Sequence, residues 1–239
     1  MRINDSAALV TGANRGLGAH LVRALLEHGA GTVYATSRSG AWPAGVPAGE
    51  RRVRTLALDI TDQASVDAAA KAAAEVRLLV NNAGVLTMGD VLSLDPAEVE
   101  RDMRVNVTGT LRVTRAFVPV LTANGGGAIA NVLSLLALAP FGAVAGYSAS
   151  KAAAHSMTQA LRAAVRGNGI TVLGAYPGGI DTEMSADLDA PKSPPEIVAA
   201  RIVEAIGAGV ETVFPDDMSA GAGAVYLADP VGLERALAG

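Results

Sequence analysis

The chain has 239 residues, half of them hydrophobic and 18% charged, with 19 basic against 23 acidic side chains for a net charge of −4. That length suits one sizeable α/β domain or at most two small ones, and the lack of a Lys/Arg cluster argues against a nucleic-acid footprint. Cysteine is absent, which excludes disulfides, thiol nucleophiles, iron–sulfur clusters and thiolate zinc sites.

The first six residues are polar and lack the charged-then-apolar layout of a signal peptide. Near-continuous apolar runs predict strands at 7–11, 32–36, 53–58, 78–81, 128–133, 171–175 and 212–214. Runs of that kind suit parallel strands covered on both faces. Between them, Ala-rich segments predict helices at 16–28, 64–74, 96–122, 148–166 and 195–207. Pro96 fits a first turn capped by Asp95, and Gly29, Gly167 and Gly207 fit as terminators. The interval 39–52 carries two Pro and three Gly, so a loop replaces the second crossover helix there. Residues 116–150 hold no Asp, Glu, Lys or Arg, yet Pro119, the run 124–127, Asn131 and Pro140 divide them. A buried strand between loops and helix ends is expected rather than a membrane span, and the protein is expected to be soluble and cytoplasmic. No repeat or linker marks a boundary, so residues 1–239 read as a single domain, a doubly wound parallel sheet with helices on both faces. A surface loop is expected at about 181–195 and a tail at about 216–239, with a possible helix at 230–237.

The segment Thr11-Gly12-Ala13-Asn14-Arg15-Gly16-Leu17-Gly18 leaves the first strand and opens the first helix. Gly12 permits the tight turn, Gly16 lets backbone approach a pyrophosphate, and Gly18 lets the helix pack closely. Three glycines in eight residues also occur in ordinary turns; the strand before and amphipathic helix after point to a nucleotide phosphate at the helix N-terminus.

Few acid–base side chains remain: three His, three Lys and four Tyr. Tyr147 and Lys151 stand at i and i+4, on one face of a helix. An ammonium there would favour the phenolate and bring the Tyr147 pKa down towards neutrality, making it a usable proton donor or acceptor. Such a pair is by itself more often a solvated surface contact. Ser134, at a strand end thirteen positions earlier, could hydrogen-bond a carbonyl oxygen, or simply cap the strand. The three histidines lack ligand spacing and read as structural or exposed, so no metal is expected.

The spacing Gly-x-x-x-Gly-x-Gly resembles that of the short-chain dehydrogenases/reductases, specifically their compact single-domain group. Further matches run in order: Asn81-Asn82-Ala83-Gly84, Asn106 within Val-Asn-Val, Ser134, Tyr147-Ser148-Ala149-Ser150-Lys151, then Pro177-Gly178 with Thr182. They cover residues 7 to about 182. The resemblance implies that Ser134 orients and polarises a carbonyl, Tyr147 transfers the proton, and Lys151 tunes Tyr147 and binds the nicotinamide ribose. Asn106 would hold a water in a relay to Lys151. Cofactor contacts are implied for Gly12, Asn14, Arg15, Gly16, Leu17 and Gly18, for Asp59 beside the adenine, and for Asn82, Ala83 and Gly84. Pro177, Gly178, Ile180 and Thr182 would hold the nicotinamide end. Asp62, beside Asp59, reads as a helix cap.

In dinucleotide folds an acidic residue ending the second strand accepts from ribose hydroxyls, whereas Arg accommodates a 2′-phosphate. Here that strand ends Ala35-Thr36-Ser37-Arg38, with no acid until Glu50. Arg38, Arg15 and the hydroxyls of Thr36 and Ser37 form a phosphate cradle, and NADP(H) is expected. Ser134, Leu135, Leu136, Tyr147 and Met184, with Val85 and Leu86, would line an apolar substrate site, suiting a ketone or aldehyde with a hydrophobic body. The expected function is NADPH-dependent carbonyl reduction. An NADP-binding sensor or scaffold without turnover is the alternative, opposed by the intact Ser134, Tyr147 and Lys151; a sugar-nucleotide epimerase would need a longer chain. The small apolar face of the helix at 148–166 predicts a homodimer or homotetramer, although the tail casts doubt on pairing through the last strand.

Overall fold

Ala-Ala-Leu-Val-Thr forms β1 (Ala7–Thr11), and all five side chains are buried because helices cover both of its faces. This computed structural model describes residues 2–188 and 190–238. Beside β1 run β2 (Thr32–Ser37), β3 (Val53–Ala57), β4 (Val76–Asn81), β5 (Gly127–Val132), β6 (Ile170–Ala175) and β7 (Thr212–Val213). They make one parallel sheet in the order β3-β2-β1-β4-β5-β6-β7. Every predicted strand is present, with ends within two residues.

The helices are α1 (Gly16–Glu27), α2 (Gln63–Ala72), α3 (Pro96–Met103), α4 (Thr110–Ala123), α5 (Ala145–Ala164), α6 (Pro195–Ala208), α7 (Asp217–Ala228) and α8 (Pro230–Ala238). Alternation along β1 divides the core in two. Ala8 and Val10 face Leu21 and Leu25 of α1 and Ile202 and Ile206 of α6. Leu9 faces the opposite layer, with Val66 of α2 and Val113, Phe117 and Leu121 of α4. The chain reverses direction across the sheet between β1 and β4, so a crevice opens at their carboxyl ends.

Asp95 caps α3 by accepting from the Ala97 amide, with Pro96 in the first turn, and Asp62 caps α2 through the Ala64 amide. No helix interrupts 39–52. Three expectations need correction. The single helix at 96–122 is instead α3 and α4 joined by a π-helical turn, Arg104–Gly109. That turn aims Asn106 sideways at Val85 and Ser150, a demand that hydrophobic periodicity does not encode. Gly207 lies inside α6; the left-handed residue that ends the helix is Gly209, at φ 70°. The tail holds α7 as well as α8, and α7 was not predicted. Among the described residues, no helix is long and apolar enough to cross a membrane.

Candidate active site

The glycine turn is shaped by its neighbours. Gly12 sits at φ 64°, and a Cβ there would lie 2.9 Å from the Ala83 Cα. A Cβ on Gly18 would run into the Gly12 carbonyl oxygen and the Asn82 amide. The Asn82 side chain donates to the carbonyls of Thr11 (2.9 Å) and Gly12 (3.1 Å), while the Thr11 hydroxyl accepts from the amides of Asn82 and Ala83. Arg15 precedes α1 in extended conformation and no side chain caps the helix. Its first-turn amides therefore face the crevice with their hydrogen-bonding capacity available to an anion. The turn fits a dinucleotide pyrophosphate.

At the outer end, Asp59 accepts from the Thr61 hydroxyl (2.7 Å) and amide (2.8 Å). Those bonds, with Arg38 and Arg104 nearby, hold its carboxyl below the ordinary range. Arg38 is exposed, and the Ser37 hydroxyl accepts from the Ala41 amide at 3.1 Å. One member of the expected phosphate cradle is otherwise engaged. The Thr36 hydroxyl donates to the Val10 carbonyl at 3.0 Å. Strand alternation sends Thr36 and its neighbour Ser37 to opposite faces of the sheet, so the two hydroxyls cannot share one cradle. Arg15 reaches across the crevice to pair with Glu183.

The residues expected to be catalytic converge from the end of β5, the π turn and α5. Ser134 follows β5, and its hydroxyl accepts from the Leu136 amide at 3.1 Å. Tyr147 lies in the first turn of α5, and the Lys151 ammonium stands 5.6 Å from its ring centre, donating to the Val132 carbonyl at 2.8 Å. Gly84 connects this cluster to the glycine turn. A Cβ there would be 3.0 Å from the Asn106 amide oxygen and 3.9 Å from Lys151 Nζ, while adjacent Ala83 touches Gly12.

Burial pushes the Tyr147 phenol up to about 12, partly offset by a hydrogen bond from Ser134, with the Asp102 carboxylate adding to the rise. Burial brings Lys151 down to about 8, opposed by Asp102. The expected fall of the Tyr147 pKa gives way to a rise, because desolvation of the phenolate dominates. Tyr147 stands as a phenol with a proton to give. The Asn106 side chain accepts from the Val85 amide (2.9 Å) and donates to the Val85 carbonyl (2.9 Å) and Ser150 hydroxyl (2.8 Å). Its side chain fastens the segment after β4 to α5.

Asp102 was missed by sequence reasoning. Within Arg101-Asp102-Met103-Arg104 it resembles a solvated charge run, yet it is wholly buried and accepts from the Thr87 hydroxyl at 2.9 Å. Of the expected substrate residues, Met184 is 49% exposed at the mouth, and Leu136, Val85 and Leu86 are half-buried. Leu135 departs from the expectation: it packs beneath the tail with Ala139 and Leu233, so its side chain is core. Ile180 and Thr182 follow Pro177-Gly178, with Thr182 against the glycine turn, 3.6 Å from a Cβ built on Gly16. The histidines are tied down locally, His155 to the Tyr176 hydroxyl at 2.6 Å, His20 to Arg23 and His28 to the Ala24 carbonyl.

A Gly-rich dinucleotide turn joined through Ala83-Gly84 to a Ser–Tyr–Lys cluster defines an oxidoreductase crevice, and the chain belongs to the short-chain dehydrogenase family, whose family model matches residues 6–193. A short-chain dehydrogenase from Burkholderia cenocepacia, crystallised in complex with NADP, is 41% identical and superimposes with a TM-score of 0.92 over 99% of both chains. Galactitol 2-dehydrogenase (L-tagatose-forming) of Cereibacter sphaeroides is 36% identical over 77% of this chain and 75% of its own. The 3-oxoacyl-[acyl-carrier-protein] reductase FabG of Vibrio cholerae is 32% identical over 79% of each.

Proposed function

We propose that the protein is an NADPH-dependent reductase of ketones or aldehydes with a hydrophobic body. The observation that carries this reading is the meeting of Ser134, Tyr147 and Lys151 beside an uncapped glycine turn. When bound, the cofactor supplies a hydride to the carbonyl carbon. The Ser134 hydroxyl donates to the carbonyl oxygen and holds it against Tyr147. Tyr147, kept protonated by burial, gives its proton to that oxygen as negative charge develops there. The Lys151 ammonium stabilises the phenolate left behind. Asn82 and Thr11 keep the glycine turn open towards phosphate, and Arg38 and Ser37 meet the 2′-phosphate; the NADP complex of the Burkholderia relative supports that choice. The half-buried Val85, Leu86 and Leu136 and the exposed Met184 favour an apolar substrate.

We also propose pairing of two copies through α4 and α5. An apolar cavity of about 400 Å³ lies between these helices, lined by Leu111, Val118, Met157 and Leu161 among others, and Met157 is 40% exposed. Light scattering of the purified protein gives the copy number.

The decisive experiment follows NADPH absorbance against a panel of ketones and aldehydes, with chiral analysis of the alcohols. Consumption with at least one carbonyl, lost in Tyr147→Phe, supports the reading. Tight NADPH binding with no consumption across the panel would leave a binding protein instead.

A further inference from the structure

The last strand is followed by a buried carboxylate that the proposed chemistry leaves unused. Asp216 is 1% exposed and sits between β7 and α7. One of its oxygens accepts from the Ser219 amide at 2.8 Å and caps α7, completed by the Ser219 hydroxyl bonded back to the Asp216 amide. That much is an ordinary capping box. The second oxygen leaves the helix altogether and accepts from the Gly178 amide at 2.8 Å. Gly178 packs closely here: a Cβ would lie 3.0 Å from both Asp216 Oδ1 and Met218 Sδ.

The same turn is held from its other side. The Pro177 carbonyl accepts from the Leu135 amide at 2.8 Å, one residue after Ser134. The Leu135 side chain is locked under the tail with Leu233, Tyr226 and Leu237. The tail thus grips the segment at Pro177-Gly178 through a carboxylate and the serine turn through a hydrophobic lock. A backbone amide bonded to a buried carboxylate oxygen is fixed more firmly than one bonded to water.

We propose that Asp216 is a positioning residue for the nicotinamide end of the cofactor site, clamping Pro177-Gly178 to the C-terminal tail. The proposal rests on the dinucleotide reading above. Asp216 touches neither substrate nor cofactor in this role; it sets where the Pro177-Gly178 backbone stands.

Two substitutions keep a capping residue and weaken the clamp. Asp216→Ser caps well but is too short to reach Gly178 and Ser219 together, and Asp216→Asn replaces one accepting oxygen with a donor. Ser219→Ala is the control that leaves the Gly178 bond in place. Binding is read with NADPH, by its fluorescence, and with 2′-phospho-ADP-ribose, which lacks the nicotinamide, in parallel with NADH and ADP-ribose. The expected result is about tenfold weaker binding of NADPH by both Asp216 variants, with 2′-phospho-ADP-ribose changed less than about twofold and Ser219→Ala near wild type. Equal weakening of both probes, or no change in either, overturns the proposal. Wild-type protein that binds none of the four probes overturns the dinucleotide reading itself, before any variant is needed.

Discussion

At the glycine turn, small residues and backbone bonds do the shaping: Gly12 against Ala83, Gly18 against Gly12, and Asn82 bonded to two carbonyls. At the Ser134–Tyr147–Lys151 end, groups from the end of β5, from α5 and from the π turn meet in a desolvated cluster. The first region is set by shape and so tolerates no added atom. The second is set by electrostatics, and its chemistry depends on how much water is excluded. A methyl group should therefore damage one end, and the loss of a hydroxyl or a charge the other.

The largest effect is expected at the electrostatic end. Tyr147→Phe removes the proton donor while keeping the ring, so kcat should fall by about 10²–10⁴ with the thermal midpoint nearly unchanged. Activity that survives intact would remove Tyr147 from the chemistry. Next comes Arg38→Asp, which places a carboxylate where a 2′-phosphate is proposed to lie. The NADPH-to-NADH ratio of kcat/KM should drop by about tenfold to a hundredfold, the worth of a charged hydrogen bond; an unchanged ratio would mean that Arg38 does not select the cofactor. At the steric end, Gly18→Ala should cost about 1–3 kcal/mol in urea unfolding and weaken nucleotide binding, because the Gly12 carbonyl has to move.

The most gradual effect is a slope. Lys151 titrates near 8 in the folded protein against 10.5 for an ordinary lysine. Between those values the unfolded chain binds more protons than the native one, so stability should rise with pH across that window, by up to about 1.4 kcal/mol per unit. Below pH 8 the cost of burying the charge is fully present. Tyr147 acts in the opposite sense from pH 10 to about 12, where only the native state retains the phenolic proton. Lys151→Met should flatten the first window relative to wild type, and an unchanged slope would show that the charge is less buried than the geometry implies.

The comparison also explains what the sequence could reveal. The glycine turn and all seven strands were legible because contiguous apolar runs and glycine spacing act locally. Ser134, Tyr147 and Lys151 were identifiable from spacing and family resemblance, but the direction of the Tyr147 pKa was not. It depends on burial by residues far along the chain and on the charge of Asp102. The π turn at Asn106 leaves no periodic mark. Helix α7 was hidden by Gly221 and Gly223 and by its lack of an apolar stripe; Gly223 is there because the Phe214 ring leaves no room for a Cβ. One signal was available, since Asp216 and Ser219 have capping-box spacing. The Thr36 hydroxyl was placed wrongly because alternation at the end of β2 separates it from Ser37.

The loop over the mouth is stapled at its base. The Ser193 amide donates to the Gly179 carbonyl at 2.8 Å and its carbonyl accepts from the Asp181 amide at 3.0 Å, closing the span like the neck of a purse. Closure entropy grows only slowly with loop length once the ends are held. The neck thus holds Ile180 and Asp181 in place, helped by the buried Ser185 hydroxyl, which donates back to the Ile180 carbonyl.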